Sequence, residues 1–280
     1  MSLEPTMPNE FTRIVRRADV ALHCQDEGAG PPVVFLASWS LPGASWHRQV
    51  AAFRAAGLRC VTYDRRGHGH TPDPGHGYDL DTLADDLAAV LDAFDLHGVT
   101  LVTFSAGSGE AVRYLTRHGT GRIARLAMIA PTTPLLVRRD DNPDGIDPAL
   151  FEAFIQTELR PDWPGWLDRN ARPFGGPDVA KVELDEVVAQ ALQASPAALE
   201  CFYRALTSTD MRAELAQLRL PALVIQGEED ASSPPHLTGH LTASLVPGAR
   251  LVLYEGAPHG LPVSHPARLN ADLLSFIRMG

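Results

Sequence analysis

The chain has 280 residues, of which 45% are hydrophobic and 21% charged, so it is long enough for one domain with a sizeable buried core. Its formal net charge at pH 7 is −10, because 24 Lys and Arg face 34 Asp and Glu. This balance argues against nucleic acid and against an anionic membrane surface as partners, since both need a basic footprint.

The three cysteines, Cys24, Cys60 and Cys201, lie far apart and form no paired motif. We therefore expect buried free thiols in a reducing compartment, and neither a disulfide framework nor a cysteine metal site. Residues 1–10 are polar and lack the basic start and apolar run of a secretion signal. No stretch approaches the roughly 18 apolar residues of a membrane span. These features predict a cytoplasmic protein with a loosely held N-terminal segment.

Short apolar runs alternate along the chain with segments of helical periodicity. Strands are predicted, in chain order, at 33–36, 59–63, 99–103, 123–130, 222–225 and 251–254, and helices at 81–96, 110–117 and 265–277. This alternation predicts an α/β fold, in which a mostly parallel central sheet is flanked by helices. Such sheets bind ligands beyond the carboxyl ends of their strands, so functional residues are expected just after strands.

One long segment breaks the alternation of strands and helices. It contains a charged, turn-rich stretch at 140–145 and then helical fragments with many large aromatic side chains. We interpret residues 135–214 as a helical cap. The cap would be inserted into a core formed by residues 11–134 and 215–280.

Ser105 stands where the strand 99–103 turns into a helix. A serine at such a corner is held in a tight turn that exposes its hydroxyl, and the helix N-terminus favours a developing negative charge. Gly107 supplies a small neighbour on one side, whereas Thr103 occupies the position on the other side where glycine is usual. Taken alone, the pattern also fits a glycine-rich turn that contains an ordinary serine.

A serine hydroxyl needs a base to become a nucleophile, and the base needs an orienting carboxylate. Two later strands are followed by such residues. Glu228, Glu229 and Asp230 come after the strand 222–225, and His259 lies in the loop after the last strand. The order is serine, acid, histidine. The residues themselves leave open which of the three acids would orient the histidine.

Several segments together resemble the bacterial cofactor-free haloperoxidase and aryl-esterase branch of the α/β-hydrolases, over nearly the full chain from about Phe11. The matching segments are 63–69, 99–107, 110–114, 117–119, 223–227, Asp230 and 257–260. The resemblance implies the α/β-hydrolase fold and no cofactor. It also implies a catalytic triad with Ser105 as nucleophile, His259 as general base and acid, and Asp230 as orienting carboxylate.

The resemblance further implies an oxyanion hole built from the backbone N–H groups of Trp39 and Ala106. In the family a His-Gly pair precedes the aromatic residue, whereas Ala37 and Ser38 occupy these positions here. The change removes a polar side chain that helps to hold the loop, and serine has a narrower backbone range than glycine. We therefore expect a hole of altered shape.

Two further patterns suggest alternative sites. His68, His70 and His76 lie near Asp73 and raise the alternative of a metal site. The segment matches a structural turn of the family, so no metal is predicted. Arg65 and Arg66 are expected to form buried ion pairs that brace the loop, rather than an anion site.

The sequence thus predicts a serine hydrolase that cleaves a carboxylic ester or lactone through an acyl-serine, with a perhydrolase or haloperoxidase side activity implied by the resemblance. Its partner would be a small molecule, and its oligomeric state is left open. Substrate contacts are expected from Trp39, Ser40, Phe104, Phe151, Phe154, Trp163, Trp166 and Phe174. Two alternatives remain: a specialised-metabolite enzyme that performs cyclisation, acyl transfer or C–C cleavage with the same triad, and a non-catalytic binding protein.

Overall fold

The computed structural model describes residues 11–278, so the N-terminal segment 1–10, predicted to be loosely held, lies outside the described part. Within residues 11–278 the chain forms one sheet of eight strands. The strands are β1 (Thr12–Arg16), β2 (Ala21–Glu27), β3 (Pro32–Leu36), β4 (Arg59–Tyr63), β5 (Val99–Phe104), β6 (Ile123–Ile129), β7 (Ala222–Gly227) and β8 (Arg250–Tyr254).

The sheet order is β1-β2-β4-β3-β5-β6-β7-β8. Strands β3 to β8 are mutually parallel, and the first two pair antiparallel at one edge. The predicted mostly parallel sheet is therefore confirmed. Every residue of β5 and β7 is buried, as expected for central strands covered on both faces.

Helices cover both faces of the sheet and form two hydrophobic clusters with it. On one face lie α2 (Leu80–Ala93) and α3 (Gly107–His118), which contribute Leu87 and Val112 to the first cluster. On the other face lie α1 (His47–Ala55) and α11 (Pro266–Arg278), and the short helix α10 (Leu261–Ser264) directly precedes α11. Because helices cover both faces, the carboxyl ends of the parallel strands are left open at one end of the sheet. The predicted functional residues directly follow β5, β7 and β8 at this end.

Between β6 and β7 the chain is non-helical over residues 130–147 and mainly helical after that. It contains α4 (Pro148–Phe154), a π-helical turn (Ile155–Leu159), α5 (Arg160–Gly175), α6 (Lys181–Ala191), α7 (Pro196–Ser208) and α8 (Arg212–Gln217). Ile155, Leu159 and Leu199 share one hydrophobic cluster with the sheet, so these helices are anchored to the core rather than packed on their own.

The boundary predicted between residues 214 and 215 falls inside α8. Leu215 is fully buried in the first cluster, and α8 packs against the core helix α3 and against α9 (Gly239–Leu245). We therefore propose that the cap ends before α8, and that α8 belongs to the core.

The thiols follow the prediction in part. Cys24 and Cys60 are free and buried, but Cys201 is exposed on α7, which corrects the expectation that all three are buried. Burial raises the pKa of the first two thiols to about 12. Among residues 11–278 no helix combines the length and the apolar character that crossing a membrane requires.

Thr103 offers a test of the packing of β5. It is fully buried, and its hydroxyl has no hydrogen-bond partner among residues 11–278. Burying an unpaired hydroxyl costs about 1–3 kcal/mol. Thr103→Val keeps the shape and removes the hydroxyl, so we expect the free energy of unfolding in urea to rise by about 1 kcal/mol.

Thr242→Val is the matched control. Its buried hydroxyl donates to the carbonyl of Thr133 at 2.7 Å, so the same substitution should lower stability there by about 1 kcal/mol. Equal losses at both positions would show that the Thr103 hydroxyl is satisfied.

Candidate active site

The turn between β5 and α3 holds Ser105 in a left-handed backbone conformation, with φ +54°. Such a conformation costs a non-glycine residue roughly 1–3 kcal/mol and needs support from its surroundings. Here the Ser105 N–H donates to Ile129 O at 2.9 Å, and the Ser108 hydroxyl donates to Ser105 O at 2.6 Å. A Cβ on Gly107 would lie 2.8 Å from Leu36 O, so only glycine allows the helix to approach β3 this closely.

His259 is held by Asp230 through a short buried hydrogen bond, in which its Nδ1–H donates to the carboxylate Oδ2 at 2.7 Å. The same carboxylate accepts the Gln226 side chain at 2.9 Å and the backbone N–H groups of Ser232 and Ser233 at 2.9 and 2.7 Å. A carboxylate fixed by four donors can orient an imidazole and fix which ring nitrogen carries the proton.

Glu228 and Glu229, the two other acids of this loop, are exposed to solvent. The structure therefore brings Asp230 to the histidine and leaves its two neighbours outside. Gly227 makes this approach possible, because a Cβ there would lie 2.4 Å from Ala257 O in the loop that carries His259. Two loops that are 29 residues apart in sequence thus meet without steric conflict.

Ser105 and His259 line one cavity, and no hydrogen bond joins the serine hydroxyl to the imidazole in this conformation of the described chain. Catalytic hydrogen bonds of this kind often tighten only when substrate binds. The backbone N–H groups of Trp39 and Ala106 have no acceptor among residues 11–278. An unpaired pair of donors next to a nucleophile is the arrangement that stabilises an oxyanion.

Buried side chains hold the loop that carries Trp39. The Arg65 guanidinium donates to Ala37 O at 3.0 Å, to Ser38 O at 3.2 Å and to the Glu110 carboxylate at 2.6 Å. The predicted buried ion pairs are confirmed, since Arg66 likewise pairs with Asp86.

The positions where His-Gly was expected place no special demand on the backbone. Neither Ala37 nor Ser38 has a positive φ, so glycine is not required there. Arg65 contacts both carbonyls directly. The expectation of an oxyanion hole of altered shape stays a prediction.

The cavity measures about 360 Å³ and lies between the sheet end and the cap. Of the predicted substrate contacts, Trp39, Ser40, Phe151, Phe154, Trp166 and Phe174 line it. No Asp, Glu, Lys or Arg is among its lining residues in the described chain. The cavity therefore suits an uncharged ligand with a large apolar part.

Two predicted contacts need correction. Phe104 does not line the cavity but packs against the His259 ring, at a centroid distance of 5.1 Å. Trp163 lies one layer behind the wall, where it stacks on Trp166 at 5.2 Å. Both residues support side chains that reach the ligand space, and neither faces it.

Sequence reasoning did not assign several lining residues to the site, notably Tyr203, Asn170 and Thr207. Tyr203 packs on the ring of Trp39 at 5.1 Å, and burial raises the pKa of its phenol to about 12. Its place on an aromatic face of the cap was the available signal, but periodicity does not distinguish a cavity wall from a core.

The three histidines of the alternative metal site do not come together. His68 is buried beside carbonyl groups, whereas His70 and His76 are exposed and lie beside Asp64 and Asp19. Asp73 instead accepts hydrogen bonds from Tyr78 and Ser195.

The buried ring of His68 contacts the loop that carries Trp39. Its Nε2 lies 2.7 Å from Trp39 O and its Nδ1 lies 3.0 Å from Arg66 O. Burial and the nearby Arg65 charge outweigh the two carbonyl contacts and lower the pKa of His68 to about 4. The unfolded state, whose His68 titrates near 6.5, therefore binds more protons between pH 6.5 and 4.

We expect the folded state to lose roughly 3 kcal/mol of stability through this group as the pH falls across that window. The measurement is the urea unfolding free energy at several pH values for the wild type and for His68→Asn, whose pH dependence should be flatter. His97→Asn, at an exposed histidine, should keep the wild-type slope. Identical slopes for wild type and His68→Asn would contradict a buried neutral ring.

Comparison with known proteins agrees with this geometry. A family model described as alpha/beta hydrolase fold matches residues 31–266. The chain is 36% identical over 274 residues to non-heme chloroperoxidase CPO-A1 of Kitasatospora aureofaciens, covering 93% of this chain and 97% of that protein. It is 32% identical over 253 residues to the bifunctional esterase/perhydrolase DCH of Acinetobacter calcoaceticus, covering 89% and 92%.

A solved structure of similar shape is the bromoperoxidase of Bacillus anthracis, with a TM-score of 0.91, 34% identity and coverage of 95% of this chain and 99% of that one. The esterase EaEST of Exiguobacterium antarcticum also gives a TM-score of 0.91, at 26% identity, covering 95% and 98%. The chain is therefore an enzyme of the α/β-hydrolase family, within the branch of non-heme haloperoxidases and esterases that its motifs resemble.

Proposed function

We propose that this enzyme hydrolyses a neutral carboxylic ester or lactone through an acyl-serine intermediate. The observation that supports this most directly is the shared cavity of Ser105 and His259, whose Nδ1 is held by Asp230. With Nδ1 occupied, the free Nε2 is the nitrogen available to take the serine proton. Family membership with enzymatic relatives makes the non-catalytic alternative the weaker one.

In the first half-reaction Ser105 Oγ attacks the acyl carbon while His259 Nε2 accepts the hydroxyl proton. The oxyanion of the tetrahedral intermediate receives hydrogen bonds from the N–H groups of Trp39 and Ala106, which have no acceptor among the described residues. The alkoxide leaves with the proton from His259, and an acyl-serine remains.

In the second half-reaction His259 takes a proton from water, which attacks the acyl-serine. The Ser105 Oγ bond to the acyl carbon then breaks, Oγ receives the proton from His259, and the acid leaves. The cavity wall selects the substrate. Because its lining lacks Asp, Glu, Lys and Arg side chains among the described residues, a charged acyl or alcohol group would be desolvated without a partner. An aromatic or otherwise bulky neutral group fits the rings of Phe151, Phe154 and Trp166.

Perhydrolysis is the second candidate, and the names of the relatives favour it, since they include chloroperoxidases and an esterase/perhydrolase. Hydrogen peroxide would replace water in attack on the acyl-serine, so that a peracid leaves instead of the acid. The same triad serves both reactions. Cyclisation, acyl transfer and C–C cleavage have no separate observation in their favour.

The triad is tested by turnover of a neutral aryl ester. Ser105→Ala should abolish hydrolysis and labelling by a phosphonate probe, while the unfolding free energy stays within about 1 kcal/mol of the wild type. His259→Ala should do nearly the same. If Ser105→Ala keeps wild-type turnover on every ester that the enzyme accepts, Ser105 is not the nucleophile.

The acid has a matched control in the same loop. Asp230→Asn should lower kcat by about 10⁴-fold, because an amide would favour the wrong imidazole tautomer. Glu229→Gln, at the exposed neighbouring position, should leave kcat within a few-fold. The opposite ranking of these two variants would move the orienting role to Glu229.

The cap wall is tested by comparing a bulky aryl ester with an acetate. Phe151→Ala removes a ring that lines the cavity, so kcat/KM for the bulky ester should fall by about 1–3 kcal/mol, roughly 5- to 150-fold. The acetate should lose much less, because it does not reach the wall.

Leu150→Ala is the control, since this neighbour on α4 is 62% exposed and does not line the cavity. This substitution should leave kcat/KM unchanged for both the bulky aryl ester and the acetate. Equal losses for the two esters in Phe151→Ala would make the cap a structural element without a role in selectivity.

A further inference from the structure

A cluster of ligand-type side chains lies at the edge of the sheet, apart from Ser105 and His259. His23 lies on β2, Asp64 directly follows β4, and His70 belongs to the loop that follows. One ligand atom from each of the three residues lies within 4.8 Å of those of the other two. Topology rather than sequence proximity creates this group, because β2 and β4 pair antiparallel in the sheet.

We propose that His23, Asp64 and His70 form a binding site for a divalent transition-metal ion, with Zn²⁺ as the ion that best suits the ligands. Two imidazoles and one carboxylate are a common three-ligand set for zinc, and a water molecule completes the tetrahedron. This site does not depend on the proposed hydrolase mechanism.

Two of the three separations between ligand atoms fit such an ion, and the third, between the two histidines, is at most 4.8 Å. Asp64 Oδ2 lies 3.4 Å from His23 Nδ1 and 3.3 Å from His70 Nδ1. Ligand atoms about 2.0–2.1 Å from a tetrahedral zinc are separated from each other by about 3.3–3.4 Å. The same separations exceed the usual 2.7–2.9 Å or so of a charge-assisted N–H···O hydrogen bond. One carboxylate oxygen therefore faces two imidazole nitrogens at a spacing closer to that of shared metal ligands.

Backbone contacts hold the carboxylate in position. Asp64 Oδ1 accepts the Gly43 N–H and Oδ2 accepts the His70 N–H, both at 2.8 Å. The carboxylate is thus held in one orientation, as hydrogen bonds from neighbouring groups orient the ligands of a metal site.

His23 is tied to the same framework. The backbone N–H of His23 donates to the Thr71 hydroxyl, which in turn donates to the backbone carbonyl of Asp64, each at 2.8 Å. The two imidazole rings are tilted by 34° to each other, with centroids 4.6 Å apart. Only His70 has freedom to adjust, since its side chain is 69% exposed whereas those of His23 and Asp64 are 16% and 4% exposed. The exposed side gives the ion and its water molecule access.

The experiment uses the full chain without a polyhistidine tag, treated with a chelator and dialysed, and titrated with ZnCl₂ by isothermal calorimetry near pH 7.5. We expect one Zn²⁺ per chain and a rise in the thermal midpoint with added zinc, because an ion that binds only the folded state stabilises it. His70→Ala should weaken binding at least tenfold and remove most of the thermal shift. His23→Ala should have the same effect.

His97→Ala is the matched control, because this histidine is also exposed and also lies beside a carboxylate, that of Asp95. It should bind zinc like the wild type. Should His23→Ala fail to fold, as judged by circular dichroism, His70→Ala alone decides the question, since its ring is largely outside the core. The proposal is overturned by the absence of saturable binding, or by stoichiometric binding that survives His70→Ala.

Discussion

The buried ion pair between Arg65 and Glu110 is the interaction on which the arrangement of the site depends. It joins the end of β4 to helix α3, and both side chains are almost fully buried. Burial raises the pKa of Glu110, but Arg65 and the Tyr63 hydroxyl supply donors to its carboxylate. Isolated charges at this depth would be costly, so the pair persists because its polar atoms have partners.

The same guanidinium also reaches the loop and the cap. It donates to the carbonyls of Ala37 and Ser38 just before Trp39, and it lies over the ring of Phe202 in α7, 4.6 Å from the centroid. One side chain therefore connects the sheet, the proposed oxyanion loop and the cap. The carbonyls of Ala37 and Ser38 are therefore fixed by a side chain from outside the loop.

The central sheet could be predicted because its strands contain apolar runs, such as Val-Val-Phe-Leu at 33–36. The edge strands β1 and β2 were not predicted, since their exposed and half-buried residues, such as Arg13 and His23, resemble a polar N-terminal segment. Which acid faces His259 also depends on the turn after β7, because three adjacent carboxylates offer the same chemistry. Only the fold buries Asp230 against His259 and leaves Glu228 and Glu229 exposed to solvent.

The sequence also could not predict which aromatic side chains of the cap line the cavity. Trp163 and Trp166 both lie on α5 and both are aromatic, yet one lines the cavity and the other is packed behind it. The two residues are three positions apart on one helix, so their spacing alone puts them on neighbouring parts of the same face. Tertiary packing decides which of them reaches the cavity, and the aromatic composition therefore predicted an apolar wall without assigning its members.

Trp39 links substrate choice to the proposed chemistry. Its indole N–H donates to Leu199 O in α7 at 2.9 Å, and its ring packs against Phe154 and Tyr203 of the cap. Its backbone N–H is one of the two donors proposed for the oxyanion, and its carbonyl is held by His68. A substrate group that pushes the aromatic side chains of the cavity wall aside would therefore also shift Trp39, whose N–H would stabilise the transition state. Since a displacement of about 1 Å in such a donor can cost on the order of 100-fold in rate, a poorly fitting substrate would lose turnover as well as affinity.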